Sequence, residues 1–386
     1  MNQPTNMQPA ERLAVTFAGG TPDRVPVMPK IWVNVAASLT DTPLREVIEN
    51  PLTAMKVIVD AALATGVDGA RLFLFPPRKT REEDGRLYEA DADGRMIGEI
   101  DLQGGLATRL ERREDFRLDD PYCVAFHTSW THSEPLVADL ADVKRIAVPD
   151  KCFYEQSGHG HCLRQMQEAV GERLGLSGDC DSATLAFCVS LRGMEQALFD
   201  LIDAPRLVHA LMDKGTAYAI ERGKFNIDHG LRTLRLNDSV ANMSVISPMQ
   251  WRDFVFPHMK EVCDELHRYC PNVKIYCHVC GNVLPVVELL IEAGLDCIAP
   301  LDPLGGFTVA DVRRAVGDTI VLMGGVNTLS FSNCTPDEVR QEAVRCMEEG
   351  DRNGRFILGS GCALPHDAKR ENIEALVDAA AEFSGR

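Results

Sequence analysis

The sequence has none of the features typical of a membrane protein or a nucleic-acid-binding protein. Its longest apolar runs fall well short of the roughly 20 residues that a membrane-spanning helix needs. Acidic residues outnumber basic ones by 57 to 40, and the resulting net charge of −17 disfavours nucleic acids and anionic membrane surfaces as partners. Residues 1–13 are polar and lack the apolar core of a signal peptide. We therefore expect a cytoplasmic location, with no nucleic acid and no membrane bound.

The chain also lacks low-complexity tracts and a repeat of about 20–50 residues, which argues against a solenoid. Of its 386 residues, 45% are hydrophobic and 25% are charged, which is typical of a globular protein with a large core. Its 13 cysteines are scattered and no secretory signal accompanies them. This usage favours reduced thiols, some of them metal ligands, over a disulfide framework.

Short β-like runs alternate with amphipathic helical stretches along most of the chain. Eight nearly apolar runs are typical of strands in a parallel sheet that is covered on both faces; they are residues 24–31, 70–75, 173–180, 233–238, 273–278, 295–300, 319–325 and 355–361. Eight strand–helix units predict an α/β fold, a (β/α)8 TIM barrel, as a single domain over residues 1–386. Residues 78–150 interrupt the alternation, and their Asp-Gly turns predict a small β-hairpin insertion after the second strand.

Helix signals between the strands support this alternation. Ser247 has the character of an N-cap, and Pro257 predicts a kink or break in the helix that follows it. Thr335 and Glu338 have the spacing of a capping box, and Gly350 is typical of a C-cap.

The stretch VKIYCHVCGN, residues 273–282, ends the fifth predicted strand with an unusual set of side chains. Because strand side chains alternate between faces, His278 and Cys280 point the same way and Cys277 points the other way. In a (β/α)8 barrel the chemistry lies at the carboxyl ends of the strands. Cys362, in ILGSGCALP just after the eighth strand, is the best third candidate. Two thiolates and an imidazole suit zinc and leave one coordination position open for a substrate.

Two plainer interpretations compete with a metal site. Cysteine is among the most buried residue types, so a single cysteine is more often part of the core than a ligand. We favour that interpretation for five cysteines: Cys263, Cys270, Cys297, Cys334 and Cys346. The Cys277–Cys280 pair has redox spacing, but such motifs usually open a helix, and strand geometry separates these two sulfurs.

Five segments distributed over nearly the whole chain carry a resemblance to a known family. They are ERLAVTFAGGTPDRVPV, SLRGMEQALFDLIDAPRLVHALMDK, ISPMQWRDFVFPHMKEV, CHVCGNVLPVVELLIEAGLDCI and ILGSGCALPHDAKRENIEALV. On these segments the chain resembles the uroporphyrinogen decarboxylase superfamily. Within the superfamily the chain resembles the zinc-dependent corrinoid methyltransferases, whose zinc ligands lie in a His-x-Cys-Gly-Asn motif and a late Gly-Cys. These motifs match His278, Cys280 and Cys362.

The resemblance implies a methyltransferase that moves a methyl group between a methylated corrinoid, such as methylcobalamin, and a zinc-activated thiol or a related small-molecule donor or acceptor. No Asp-x-His-x-x-Gly corrinoid-binding signature is visible, so the corrinoid is expected to arrive on a separate corrinoid-binding protein or in free form. The metal-free decarboxylases of the superfamily differ: they carry an arginine-rich motif near the first strand and an aspartate after the second. Here those places read PVMPKIWVNVAA, with Lys30 as the only cation, and RLFLFPP, with no acid. A pocket without arginines is poorly suited to a tetrapyrrole with many carboxylates.

Two further hypotheses therefore rank below the methyltransferase. One is a tetrapyrrole decarboxylase without metal, and the other is a non-catalytic binding protein with a structural zinc. Structural zinc sites usually have four ligands in close sequence pairs, unlike the spread from His278 to Cys362.

Other polar residues follow the predicted strands and are candidates for the same site. Asp238 is a candidate fourth metal ligand or catalytic base, and a helix-capping role is equally open. Candidate substrate-binding or metal-loop-orienting residues are Asn237, Asp179, Asp181, Asn282 and Asn327.

Overall fold

The computed structural model describes residues 6–102, 106–110, 112–127, 132 and 134–383. Its strands are β1 (Gly69–Leu72), β2 (Lys79–Glu83), β3 (Arg86–Ala90), β4 (Met96–Ile100), β5 (Thr108–Leu110), β6 (Gly175–Asp181), β7 (Thr233–Asn237), β8 (Lys274–His278), β9 (Cys297–Leu301), β10 (Val321–Val326) and β11 (Phe356–Ser360). Seven of these described strands form one curled parallel sheet in the order β1-β6-β7-β8-β9-β10-β11. The predicted α/β fold is confirmed, and seven of the eight predicted strands are present.

The first predicted strand, residues 24–31, is wrong as a regular strand. Its two prolines have no N–H to donate to a sheet ladder, so continuous pairing stops there. The segment still runs beside the sheet: the Met28 N–H donates to Leu358 O of β11 (2.8 Å), and the Asp68 N–H donates to Val27 O (2.7 Å). These hydrogen bonds place it between the last strand of the sheet and the residue that precedes the first.

Between β1 and β6, a four-stranded antiparallel sheet in the order β2-β3-β4-β5 replaces the predicted hairpin. Asp84 and Gly85 have φ values of 50° and 75°, as the turn between β2 and β3 requires. The sheet continues because the later strands also bury apolar side chains, including Ile97, Ile100 and Leu110. Residues 103–105, 111, 128–131 and 133 of the predicted insertion lie outside the described residues. The single domain over residues 1–386 stays a prediction.

Helices connect the parallel strands. They are α1 (Pro9–Phe17), α2 (Val33–Leu39), α3 (Leu44–Glu49), α4 (Pro51–Thr65), α5 (Pro121–Phe126), α6 (Leu140–Arg145), α7 (Lys151–Gln156), α8 (His159–Val170), α9 (Leu185–Arg192), α10 (Met194–Asp203), α11 (Pro205–Asp228), α12 (Pro248–Gln250), α13 (Phe256–Tyr269), α14 (Val287–Glu292), α15 (Val309–Val316), α16 (Ser330–Asn333), α17 (Pro336–Gly350) and α18 (Arg370–Phe383). Among the described residues, no helix combines the length and apolar character that crossing a bilayer requires.

The predicted helix signals are present with one shift. Ser247 forms a capping box with Gln250, and Thr335 forms one with Glu338. The expected break near Pro257 is a π-helical segment, Trp251–Val255, directly before α13. Gly350 is the last residue of α17 rather than its cap.

Candidate metal centre

Three metal-ligating side chains come together at the carboxyl ends of the strands. His278 is the last residue of β8, Cys280 follows two residues later, and Cys362 lies two residues after β11. One ligand atom from each lies within 4.8 Å of the others, and Cys362 Sγ is 3.6 Å from His278 Nε2. Because β8 and β11 are separated by two strands in the sheet order, only the curling of the sheet brings these residues together.

The loop that carries Cys280 is held tightly by its neighbours. Gly281 has φ of 81°, a conformation that favours glycine. Its N–H donates to Asp302 Oδ2 (3.0 Å), and a side chain at Gly305 would meet the Gly281 carbonyl carbon at 2.5 Å. The glycines therefore allow this loop and the loop after β9 to approach closely, which holds Cys280 in place.

The two sulfurs differ in their ease of ionisation. A hydrogen bond from Cys280, opposed by burial and aided by the charge of Lys30, lowers the pKa of Cys362 to about 6. The same hydrogen bond, together with burial, raises the pKa of Cys280 above its ordinary value. Cys362 is thus favoured as a thiolate with the Cys280 thiol as its donor, and a thiolate is the form that binds metal.

A lysine lies directly beside this cluster. Lys30 Nζ is 3.4 Å from His278 Nε2, and Lys30 is only 9% exposed. Burial, followed by the charge of Arg235, lowers the pKa of Lys30 to about 7, whereas the charge of Cys362 acts in the opposite direction. Burial and the charge of Lys30 hold the pKa of His278 well below its ordinary value. His278 is therefore a neutral imidazole, as a metal ligand must be.

The cluster opens into a cavity of about 500 Å³. One side of the cavity is aromatic and is lined by Trp32, Phe73, Phe75 and Phe126. Trp32 and Phe73 pack edge to face, with 4.4 Å between ring centroids. Arg78, Leu106 and Ala107, from the region of the antiparallel sheet, also line the cavity.

Another side of the cavity is a network of paired charges. Arg235 donates to Asp179, and Arg222 binds both Asp179 (3.4 Å) and Asp181 (3.0 Å). Asn237 accepts a hydrogen bond from Arg235 (2.6 Å). All five residues line the cavity. The structure therefore places Asp179, Asp181 and Asn237 in the same cavity as the three candidate metal ligands. Their roles in substrate binding stay predictions.

The other predicted site residues do not line the described cavity. The Asp238 carboxylate is 1% exposed and accepts hydrogen bonds from the Thr184 hydroxyl and from the N–H groups of Leu185 and Ala186, at the start of α9. Burial raises the pKa of Asp238 to about 7, although these N–H groups oppose the shift. The contacts are those of a helix cap, and a catalytic role for Asp238 stays a prediction.

Asn282 and Asn327 serve their own loops. Asn282 Oδ1 accepts from the Leu284 N–H (3.2 Å), and Asn327 Oδ1 accepts from the Leu329 N–H (3.0 Å). Asn282 lies on the loop that carries Cys280, where its carbonyl oxygen accepts from the Met243 N–H (2.7 Å).

The five cysteines that we assigned to the core lie in it or against it. Cys263, Cys297 and Cys346 are buried, and Cys270 and Cys334 pack against the core. That prediction is confirmed.

Sequence reasoning missed the arginines around the cavity. The expectation of a pocket without arginines is wrong, because Arg78, Arg222 and Arg235 line it. Arg235 lies between two leucines in the predicted strand 233–238. A charged residue in a buried strand is rare without a partner or a function, and that signal could have found Arg235.

The sequence profile of the family described as uroporphyrinogen decarboxylase (URO-D) matches residues 129–383, about two thirds of the chain. The chain belongs to this family. The URO-D family assignment confirms the resemblance, and relatives of this chain include methyltransferases as well as decarboxylases.

One relative is the methylated-thiol–coenzyme M methyltransferase of Methanosarcina mazei, 26% identical over 179 residues, which cover 46% of this chain and 45% of the relative. A second is the methylcobamide:CoM methyltransferase MtaA of Methanosarcina barkeri, 24% identical over 46% of this chain and 49% of the relative. This URO-D family chain therefore spans about half the length of the methyltransferases that it matches. The uroporphyrinogen decarboxylase of Pseudoalteromonas translucida is 29% identical over 65% of this chain and 70% of that enzyme.

A solved structure supports the fold. A methyltransferase from Methanosarcina mazei superimposes with a TM-score of 0.69 at 17% identity, and the match covers 98% of this chain and 99% of the other. At that identity the similarity establishes a shared fold and nothing beyond it.

Proposed function

We propose that this protein is a zinc-dependent methyltransferase that moves a methyl group between a corrinoid and a thiol. The observation that carries the proposal is the cluster of His278, Cys280 and Cys362 at the mouths of strands, opening into a cavity large enough for a substrate. The names of the two methyltransferase relatives, one of which includes a methylcobamide, support the same reaction class.

The donor set fits zinc. Two sulfurs and one imidazole nitrogen are typical zinc ligands, and a site with three protein ligands keeps a position for a substrate. Bound there, zinc would lower the pKa of a thiol so that its thiolate can accept a methyl group at neutral pH. The chain contributes the rest: the glycine-supported loop orients Cys280, and the aromatic side of the cavity limits access of water.

The corrinoid is proposed to arrive on a separate corrinoid-binding protein. The cavity holds about 500 Å³ and is lined by aromatic and paired polar side chains, which suits a small donor or acceptor better than a complete corrinoid. The methyl-carrying face of the corrinoid would then approach the cavity from outside.

The alternative of a metal-free tetrapyrrole decarboxylase draws support from the three cavity arginines that the sequence did not reveal. However, Arg222 and Arg235 are paired with Asp179 and Asp181, and Arg78 lies 3.7 Å from Glu89. Arginines that are already paired have less capacity to bind the carboxylates of a tetrapyrrole. We therefore favour the methyltransferase.

The test combines zinc content with methyl transfer from free methylcobalamin to coenzyme M or 2-mercaptoethanol, followed as loss of methylcobalamin absorbance under anaerobic conditions. Wild type is expected to hold about one zinc per chain. His278→Ala and Cys362→Ser are each expected to weaken zinc binding by at least about 100-fold and to abolish transfer, because each removes a ligand.

Cys152→Ser is the matched control, since Cys152 is exposed on α7 and outside the cavity lining. It should keep both zinc and activity. Zinc missing from wild type, or retained in both ligand variants, would overturn the proposal. Metal-independent decarboxylation of uroporphyrinogen would support the alternative instead.

A further inference from the structure

A buried lysine beside the three candidate metal ligands has no carboxylate partner among the described residues. Lys30 Nζ is 3.4 Å from His278 Nε2, and no ion pair among the described residues includes Lys30. Its other close neighbour is the ring of Trp32, 5.7 Å from Nζ. A buried ammonium group that has no carboxylate partner is costly, so in the metal-bound protein a further negative charge beside it would be stabilising.

Arg71 is a second buried cation, and it binds the strand that carries His278. It is 6% exposed, and its hydrogen-bond partners are neutral: Tyr276 Oη (2.9 Å), Pro29 O (2.8 Å), Met28 O (3.3 Å) and Met323 Sδ (3.2 Å). Tyr276 lies two residues before His278 in β8. Two buried cations therefore lie at this end of the sheet, and none of the ion pairs among the described residues includes either of them.

Two carboxylates of neighbouring loops have other partners. Asp302 accepts hydrogen bonds from the N–H groups of Gly281 (3.0 Å) and Leu304 (3.0 Å), so it stabilises the loop that carries Cys280. The carboxylate of Asp179 pairs with Arg235 and Arg222 instead. Neither forms an ion pair with Lys30, so an anion in contact with Lys30 would come from the metal centre or its ligand.

The charge of the protein ligands does not supply it. Two cysteine thiolates cancel the charge of one divalent metal ion, and a neutral imidazole adds none. The ammonium of Lys30 then stays unmatched until a fourth ligand brings a negative charge.

We propose that Lys30 is a positioning residue that makes the metal centre selective for an anionic fourth ligand, a substrate thiolate, over a neutral ligand such as a thioether or an imidazole. The proposal rests on the proposed function. On binding of a thiol to the loaded site, the S–H bond would break, the sulfur electron pair would be shared with the metal, and the proton would pass to the solvent. No oxidant or reductant takes part.

The test compares wild type with Lys30→Met and Lys30→Arg, all loaded with zinc and checked for metal content. Calorimetric titration with 2-mercaptoethanol, in two buffers of different ionisation enthalpy, gives the thiol affinity and the number of protons released. Titration with imidazole gives the affinity for a neutral ligand. Lys30→Met should weaken thiol binding by about 10- to 100-fold, because it removes a charge-assisted contact in a poorly solvated site. It should change imidazole binding by less than about threefold, and Lys30→Arg should keep most of the thiol affinity.

Lys79→Met is the matched control, because Lys79 is an exposed cation on β2 and its removal changes the net charge equally. It should bind thiol like wild type. The proposal fails if Lys30→Met binds thiol normally, if thiol and imidazole weaken equally, or if the variant no longer holds zinc. The last outcome would give Lys30 a purely structural role. Failure of the proposed function is separate, since it would appear as missing zinc in wild type.

Discussion

Two groups of buried charge differ in whether they are paired. In the first group, Arg222 and Arg235, which line the cavity, bind Asp179 and Asp181 through ion pairs. In the second, Lys30 lies 3.4 Å from His278, Arg71 binds Tyr276, and none of the described ion pairs includes either cation. The first group has its counter-charges within the protein, whereas the second has no carboxylate partner among the described residues.

Paired and unpaired buried charges have different consequences for stability and for ligand binding. Buried charges that satisfy one another stabilise a particular arrangement of strands and need nothing further. Buried charges that lack a counter-charge reduce the stability of the free protein, and such strain is typical of sites that bind a ligand. We therefore expect the paired group to support the cavity and the unpaired group to take part in ligand binding.

The largest expected effect that tests this comparison concerns the paired group. Arg235→Met leaves Asp179 with only the longer contact to Arg222, so we expect the free energy of unfolding to fall by about 3 kcal/mol. Urea denaturation measures this loss, and zinc content should be unchanged because Arg235 is not a ligand.

The matched control is Arg232→Met, at an exposed arginine three residues earlier, with an expected change below about 0.5 kcal/mol. If Arg235→Met loses zinc but keeps its stability, the paired group belongs to the site, and the comparison breaks down.

A smaller effect is expected at Asp238, whose carboxylate binds the first turn of α9. Asp238→Ala should lower the free energy of unfolding by about 1–2 kcal/mol, as for the loss of a helix cap. Asp238→Asn keeps an oxygen acceptor and should lose less. A stable Asp238→Asn variant that cannot transfer methyl groups would instead establish the catalytic role predicted from the sequence.

The smallest effect has the opposite sign. In metal-free protein, Lys30→Met removes a buried cation that has no carboxylate partner, so we expect the free energy of unfolding to rise by about 1 kcal/mol. Urea denaturation of the chelator-treated protein, wild type beside variant, checks this. A clear loss of stability would mean that Lys30 is satisfied in the free protein, and the distinction between the two groups would not hold.

Much of the fold followed from local patterns. Apolar runs bounded by turns predicted seven strands, because a strand buried on both faces must be apolar throughout. Two of the helix starts were visible in Ser247 and in Thr335 with Glu338, because capping depends on neighbours three residues apart. Two predictions of strands were wrong for local reasons. Prolines interrupt residues 24–31, and the predicted hairpin extends into a four-stranded sheet whose later strands are short.

By itself, the sequence determined which residues are candidate ligands and that they follow strand ends. The alternation of strand side chains predicted a shared face for His278 and Cys280. In the structure β8 ends at His278, so the loop and not the strand places Cys280. Only the tertiary structure decided which charges meet. Arg71 is far along the chain from Arg222 and Arg235, and whether each arginine finds a carboxylate depends on which strands become neighbours: Asp179 and Arg235 are register partners on β6 and β7. Pairing of buried charges depends on distances between strands. The order of residues along the chain therefore cannot distinguish a paired cation from an unpaired one.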